Sequence, residues 1–431
     1  MNRRTFLRLA AAGTTGVLGC GSQRPTVRGE PERRRIVTGP RPVPPAPPGP
    51  PRYIAVLLLH GGYDSLLTFD PKLPDQVTKV DLEYRAEDLL KGRERLYGPL
   101  FKPLMPFEQD LAIVNAVRVD TVGHEQATSY LARGRVSQEH KDVVIGDRVG
   151  RALPGTAPIH HLVTGSNWTE YYFCGLECSD ETIGGRSSAA LLPVSDLDPE
   201  PAYGDMADVR DARAAEAELV FEGEAHRADY AAVNRNAVAV GELLAQAKSY
   251  DGLTGSRYGK GLNIALEAIR LDKARFISVV AHPNMLDTHL DNLRLQRKQT
   301  LPTLEEVATF LRLLAETRNA HGPLIDQTTV MICTEMGRFS RLNNQNGKDH
   351  WPENSWLFTG RGIKRKPGGL TIGATDEQRR ARPIDLKTGA VAPNGKPVFV
   401  QHAFATLIKA AGLDPAEHGY TPDELLPCLL A

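Results

Sequence analysis

The sequence predicts an α/β fold, a mostly parallel central sheet with helices on both faces. Two observations carry that prediction. Six short apolar runs of strand length alternate with segments of helical periodicity, and polar residues able to do chemistry stand directly behind four of those runs. The chain has 431 residues, 41% of them hydrophobic, enough for one large domain or two. Lys plus Arg and Asp plus Glu both number 52, so no net field favours nucleic acid as a partner.

The chain begins MNRRTFLRLAAAGTTGVLGCG, where Arg3 and Arg4 precede Phe6 and Leu7, a run of small apolar residues, and Val17-Leu18-Gly19 before Cys20. This is the pattern of a twin-arginine export signal joined to a lipobox over residues 1–20. It predicts an exported envelope protein tethered to a membrane through lipid on Cys20. Residues 21–52 include RPVPPAPPGPP and are expected to form an extended Pro-rich linker. The remaining cysteines, Cys174, Cys178, Cys333 and Cys428, receive no chemical role; Cys174 and Cys178, one helical turn apart, have poor geometry for a bridge.

The body, residues 53–431, carries the alternation. Strands are expected at YIAVLLL (53–59), LAIVNAV (111–117), IHHLVTG (159–165), RFISVVA (275–281), TTVMICT (328–334) and NSWLFTG (354–360). Helices are expected at EQATSYLAR, DVVIGDRVGRAL, AVAVGELLAQA, LNIALEAIRL, TLEEVATFLRLLAETR and HAFATLIKAAGL. The polar, acidic stretch at about 180–256 reads as a helical insertion or cap.

Ligands of doubly wound sheets bind beyond the carboxyl ends of the strands, and there the candidates gather. Behind the first run come His60 and Asp64; behind the second, Asp120, Thr121 and His124; behind the fourth, Asp287, His289 and Asp291; behind the fifth, Glu335, Arg338, Asp349 and His350. In an extended loop, Asp287 and His289 point the same way and can offer an oxygen and a nitrogen to one ion. With Asp64, Glu335 and His350 they make a mixed carboxylate–imidazole set, which suits zinc, manganese or iron better than calcium. One or two divalent ions are expected, zinc or manganese foremost. His60-Gly61-Gly62 is similar to the oxyanion turn of α/β hydrolases, but no G-x-S-x-G elbow occurs, and no G-x-G-x-x-G follows the first strand.

The ordered motifs GGYDSLLT, GHEQATSYLARGR, LDTHLDN, TEMGR, GKDHW and HAFATLIKAAGLD resemble a family of exported bacterial proteins of unknown function within the alkaline phosphatase-like superfamily. The resemblance spans about Tyr53 to the end of the chain. It implies an alkaline phosphatase-like fold and a two-metal site with a nucleophile between the ions, as in sulfatases and phosphatases. It implies further that Asp287, His289 and His350 form one metal site, that Asp64 and Glu335 contribute to the other, and that Arg338 holds an anionic oxygen. Two departures stand out. Where relatives end the fifth strand in Asp-His, this chain has Glu335-Met336, and the position of the relatives' hydroxyl or thiol nucleophile falls on His124. Thr121 is the nearest hydroxyl, while His124 is left as ligand, nucleophile or base toward a metal-bound water. The expected activity is metal-dependent hydrolysis of a phosphate or sulfate ester, small or polymeric. The alternative is a non-catalytic envelope binding or scaffold protein that keeps the fold.

Overall fold

A computed structural model describes residues 52–136, 144–165, 190–193, 236, 238–253, 255–282 and 285–431. Among them, nine strands make the main sheet: β1 (Tyr53–Leu58), β2 (Ala112–Arg118), β3 (Ile159–Gly165), β4 (Ala190–Pro193), β5 (Ala274–Val280), β6 (Thr328–Cys333), β9 (Glu353–Gly360), β10 (Leu370–Ile372) and β11 (Val398–Phe399). Strands β7 (Gly337–Leu342) and β8 (Lys348–Trp351) form a separate antiparallel hairpin. The helices are α1 (His124–Arg133), α2 (Ile145–Ala152), α3 (Arg257–Arg270), α4 (Asn292–Glu316) and α5 (Val400–Ala410), with a further helical stretch over 238–246. Among the described residues, no helix is long and apolar enough to cross a membrane.

The main-sheet order is β10-β2-β9-β6-β1-β5-β3-β4, with β11 also pairing β2. Every pairing is parallel except the two made by β9, which runs against β6 and β2. The expected mostly parallel α/β architecture is therefore what the chain adopts. In β1 all six residues are fully buried because both faces are covered. Tyr53, Ala55 and Leu57 join the core formed with α3 and α4 residues such as Leu262, Val307 and Phe310. Ile54, Val56 and Leu58 join the opposite core with Leu131 of α1, Val149 of α2 and Phe404 of α5.

Strands β7, β8, β10 and β11 add to the six expected, and two segments expected to be helical also differ. The helix expected from Thr303 starts eleven residues earlier, at Asn292, because its first turns bury polar side chains, Asn292, Gln296 and Thr300, where an apolar stripe was sought. Within the expected helical insertion, residues 190–193 instead extend the sheet as β4, parallel to β3. The helix over 238–246 sends Ala239 and Leu243 into the main core; most of the rest of that stretch lies outside the described residues. So do the signal, Cys174 and Cys178, and the linker except Arg52, whose guanidinium donates to the carbonyls of Ala411 and Gly412, 3.2 Å each.

β1, β5 and β6 run in one direction, and β2, two reversals away through β9, shares it. Their carboxyl ends, and the residues behind them, therefore meet at one edge of the sheet.

Candidate metal centre

The loop behind β1 approaches its neighbours closely. Gly61 has φ of +107°, and a Cβ there would lie 2.5 Å from Leu286 N and 2.7 Å from Asp287 N. Only glycine fits this crossing. The Gly-Gly turn thus lets the Asp287 loop lie against β1, and it also aims the Gly61 N–H at Glu335 Oε1, 2.8 Å away. The hairpin closes the other side: Lys348 N donates to Thr288 O (2.9 Å), and Asn343 Nδ2 donates to His289 O (3.0 Å).

Four imidazoles and three carboxylates then form a continuous row. Glu335 Oε1 lies 3.5 Å from His60 Nδ1 and 2.7 Å from His124 Nδ1. The other His124 nitrogen, Nε2, is 3.3 Å from Asp287 Oδ2. Asp287 Oδ1 is 3.2 Å from His350 Nε2 and 3.1 Å from His289 Nε2, and these two nitrogens are 2.8 Å apart. His289 Nδ1 ends the row at Asp349 Oδ1, 2.9 Å away. Side-chain exposure climbs along it, from 0% at Glu335 to 20% at His350, 43% at His289 and 59% at Asp349, so the row leads from the interior to solvent.

Hydrogen-bond accounting fixes which nitrogens carry protons. His350 Nδ1 meets the Val122 carbonyl at 2.6 Å, and a carbonyl only accepts. His289 Nδ1 likewise meets the Asp349 carboxylate. In neutral rings both Nε2 atoms are then lone pairs, and they converge with an Asp287 oxygen. Three acceptors this close repel one another unless a proton or a metal ion lies among them. Their edges of 2.8–3.2 Å are slightly shorter than the ~3.4 Å kept by ligands about 2.1 Å from a tetrahedral ion. The donor set therefore fits a divalent metal. Groups of ligand atoms within 4.8 Å of one another occur at His60, His124 and Glu335 and at His124, Asp287 and His350.

The charge balance follows the same row. Burial works to raise Glu335, but His60 and His124 outweigh it and hold its carboxyl down to about 2. Burial opposes charge on His124 as well, yet Asp287 and Glu335 push it up to about 9. Burial dominates at His60, which is lowered despite Glu335. Asp287 is held far below the usual carboxylate range against its burial, by His124, His350 and Arg338.

Not every expected residue joins the row. Asp64 does not share a site with Glu335: its Oδ2 takes Lys348 Nζ at 2.8 Å and Asn292 Nδ2 at 3.1 Å, while Oδ1 takes Leu66 N at 3.0 Å. Lys348, fully buried, also reaches Glu83 Oε2 at 3.0 Å, so Asp64 sits in a closed ion cluster. Arg338 does not present its fork to solvent. Its buried guanidinium donates to Gly61 O, to Gly62 O (3.1 Å), to Lys348 O (3.1 Å) and to Asp287 Oδ1 (2.8 Å), and so positions the Asp287 carboxylate. The Thr121 hydroxyl turns to the start of α1, donating to Gln126 Oε1 (2.8 Å) and accepting from Gly123 N (3.2 Å). Asp120 pairs with Arg118 at 2.9 Å, and Asp291 pairs with Arg294.

Sequence reasoning placed His60 among the candidates without giving it a role, and did not single out Thr128, Glu83, Lys348 or Gln296. The signal for Lys348 was present, since strand alternation puts Lys348 and His350 on one side of β8. Gln296 braces the loops from α4, donating to Gly62 O (3.2 Å) and Leu286 O (3.1 Å), and nothing in its local sequence announces that.

Fold and site together define an α/β protein with an imidazole–carboxylate centre at the carboxyl edge of its sheet. The chain belongs to the family described as protein of unknown function DUF1501, whose model matches residues 189–426. No curated protein matches the sequence. Among solved structures, it is similar to a protein in the alkaline phosphatase superfamily from Vibrio parahaemolyticus, with 10% identity and a TM-score of 0.41, covering 85% of this chain and 67% of that one. It is also similar to a putative sulfatase from Bacteroides thetaiotaomicron (9%, TM-score 0.40, 86% of this chain and 75% of that one). A third is the phosphonate monoester hydrolase of Agrobacterium radiobacter (11%, TM-score 0.37, 86% and 78%).

Proposed function

We propose that this protein is an exported, metal-dependent hydrolase of a phosphate or sulfate ester, with its ion held by Asp287, His289 and His350. The observation that carries the reading is the convergence of two imidazole lone pairs and a carboxylate oxygen within 2.8–3.2 Å of one another. Each ring is fixed by a partner on its other nitrogen, Asp349 or the Val122 carbonyl, as metal-bound histidines are. When bound, the ion supplies Lewis acidity toward an ester oxygen and charge for an anionic substrate.

The chain's own residues do the rest. Arg338 holds Asp287 in place, and Asp349 holds the ring of His289. Substrate approaches from the exposed His289 end of the row. Val122 and Leu290, the exposed large apolar side chains among the described residues, neighbour this opening in the chain and offer contact to the uncharged part of an ester. In the metal-free protein His124 holds a proton between two carboxylates, one at each ring nitrogen. The Thr121 hydroxyl, engaged with Gln126, is a less favourable nucleophile.

The test is elemental analysis of natively exported protein followed by assay on aryl phosphate, phosphonate and sulfate esters. The expected result is bound zinc or manganese and turnover of at least one ester, with the ion of the Asp287 centre and turnover both lost in His289→Ala. Metal-loaded protein inert on the whole panel would leave an envelope binding protein. The export part of the proposal rests on the sequence alone: Lys at Arg3 and Arg4 should stop export, and Cys20→Ala should release the protein from the membrane fraction.

A further inference from the structure

We infer that His124 is a bridging ligand, its two ring nitrogens binding two different metal ions, with His60 and Glu335 completing an inner site behind the Asp287 centre. The inference rests on the metal reading above and deepens it.

His124 Nδ1 is 2.7 Å from Glu335 Oε1, and Nε2 is 3.3 Å from Asp287 Oδ2. Nε2 is buried and has no partner in hydrogen-bond geometry. A neutral imidazole has one N–H and one lone pair. With a carboxylate at each end, a neutral ring always sets one lone pair against an anionic oxygen. Two states remove the conflict: a proton on both nitrogens, or a metal ion on both, the ring then releasing its N–H proton to solvent. Both metal-ligand groups contain His124, one on each side of its ring.

The inner side is built as a ligand site in its own right. Thr128 Oγ1 donates its proton to the His124 carbonyl at 2.7 Å. At its 3.2 Å contact with His60 Nε2 it must therefore accept, which puts the proton of neutral His60 on Nε2 and leaves Nδ1 as the acceptor facing Glu335. The His60 and His124 rings stack with centroids 5.3 Å apart, so both Nδ1 atoms address the same carboxylate oxygen. Gly61 N and the Thr334 hydroxyl orient that carboxylate at 2.8 and 3.0 Å. The inner site is lined by buried His60 and Glu335 and by partly buried His124, while the outer one faces solvent.

The full chain, stripped of metal and titrated with copper(II), tests this, because copper occupies imidazole-rich sites readily and its unpaired spin reports coupling through a shared ring. The expected result is two ions per chain. The electron paramagnetic resonance intensity should rise with the first equivalent and fall with the second as the spins couple. His60→Ala should bind one ion with full intensity, and His124→Gln should abolish the coupling. Two ions with the full intensity of two isolated spins in the unmodified protein would overturn the bridge. So would a single ion unaffected by His124→Gln; if Asp287→Asn removes that ion, the outer centre and the hydrolase reading stand without the bridge. Absence of bound metal would overturn both.

Discussion

Asp64 and Asp287 stand behind adjacent parallel strands, β1 and β5, both carboxylates at the same edge of one sheet. Their surroundings differ in kind. Asp64 is 1% exposed and meets a lysine ammonium, an asparagine amide and a backbone N–H, all obligate donors. Asp287 meets one arginine and three imidazoles, whose nitrogens can be donors or lone pairs. A carboxylate matched by permanent donors is finished as it stands. One surrounded by convertible groups still requires a proton or a metal ion, and that requirement separates a site from a brace.

The comparison breaks most visibly at Lys348. Lys348→Met leaves Asp64 buried without its cation and is expected to cost about 3–5 kcal/mol, read from urea unfolding. Adding Asp64→Asn should recover part of that loss. If Lys348→Met instead abolished metal binding without changing stability, Asp64 would belong with the ligands. His289→Ala should do the reverse, losing the outer metal while shifting unfolding of the metal-free protein by under ~1 kcal/mol, since the side chain is 43% exposed.

Asp70 sharpens the contrast as a second finished carboxylate. Burial would raise it, but Arg379 and Lys72 outweigh burial and hold it below its ordinary value. Its folded-state value is then lower than its unfolded one. The stability it contributes is present above about pH 3.9 and lost as pH falls through the folded value. Asp70→Asn should lower stability at neutral pH by about 1–3 kcal/mol and flatten the acid limb of the stability profile. An unchanged acid limb would show that Asp70 is not ionised in the fold. Asp349→Ala acts on binding and not on stability: it frees the ring of His289 and should weaken metal binding by about 10–100-fold in a competition titration with a chelator.

How far local sequence reaches is visible in α4. Its second half was legible from the stripe Leu304, Val307, Phe310, Leu311 and Leu314, which packs on the sheet. Its first half buries Asn292, Gln296 and Thr300 against the site loops, and Pro302 separates the halves, so periodicity in apolar residues could not find it. The strands were easier. β1, β5 and β6 are buried along their whole length because both faces are covered, and their mainly apolar runs stand out whatever surrounds them.

By itself the sequence determined the alternation of strand and helix, and hence the edge at which His124, Asp287, His289, Glu335 and His350 would gather. Those facts depend on periodicities of a few residues, which hydrophobic burial enforces locally. The tertiary structure alone decided the sorting: that Lys348, arriving on a hairpin 284 residues from Asp64, would neutralise that carboxylate, and that Arg338 would turn inward to Gly61, Gly62 and Asp287. Whether a carboxylate becomes a brace or a ligand depends on which donor comes within about 3 Å of it, and chain neighbours do not carry that distance.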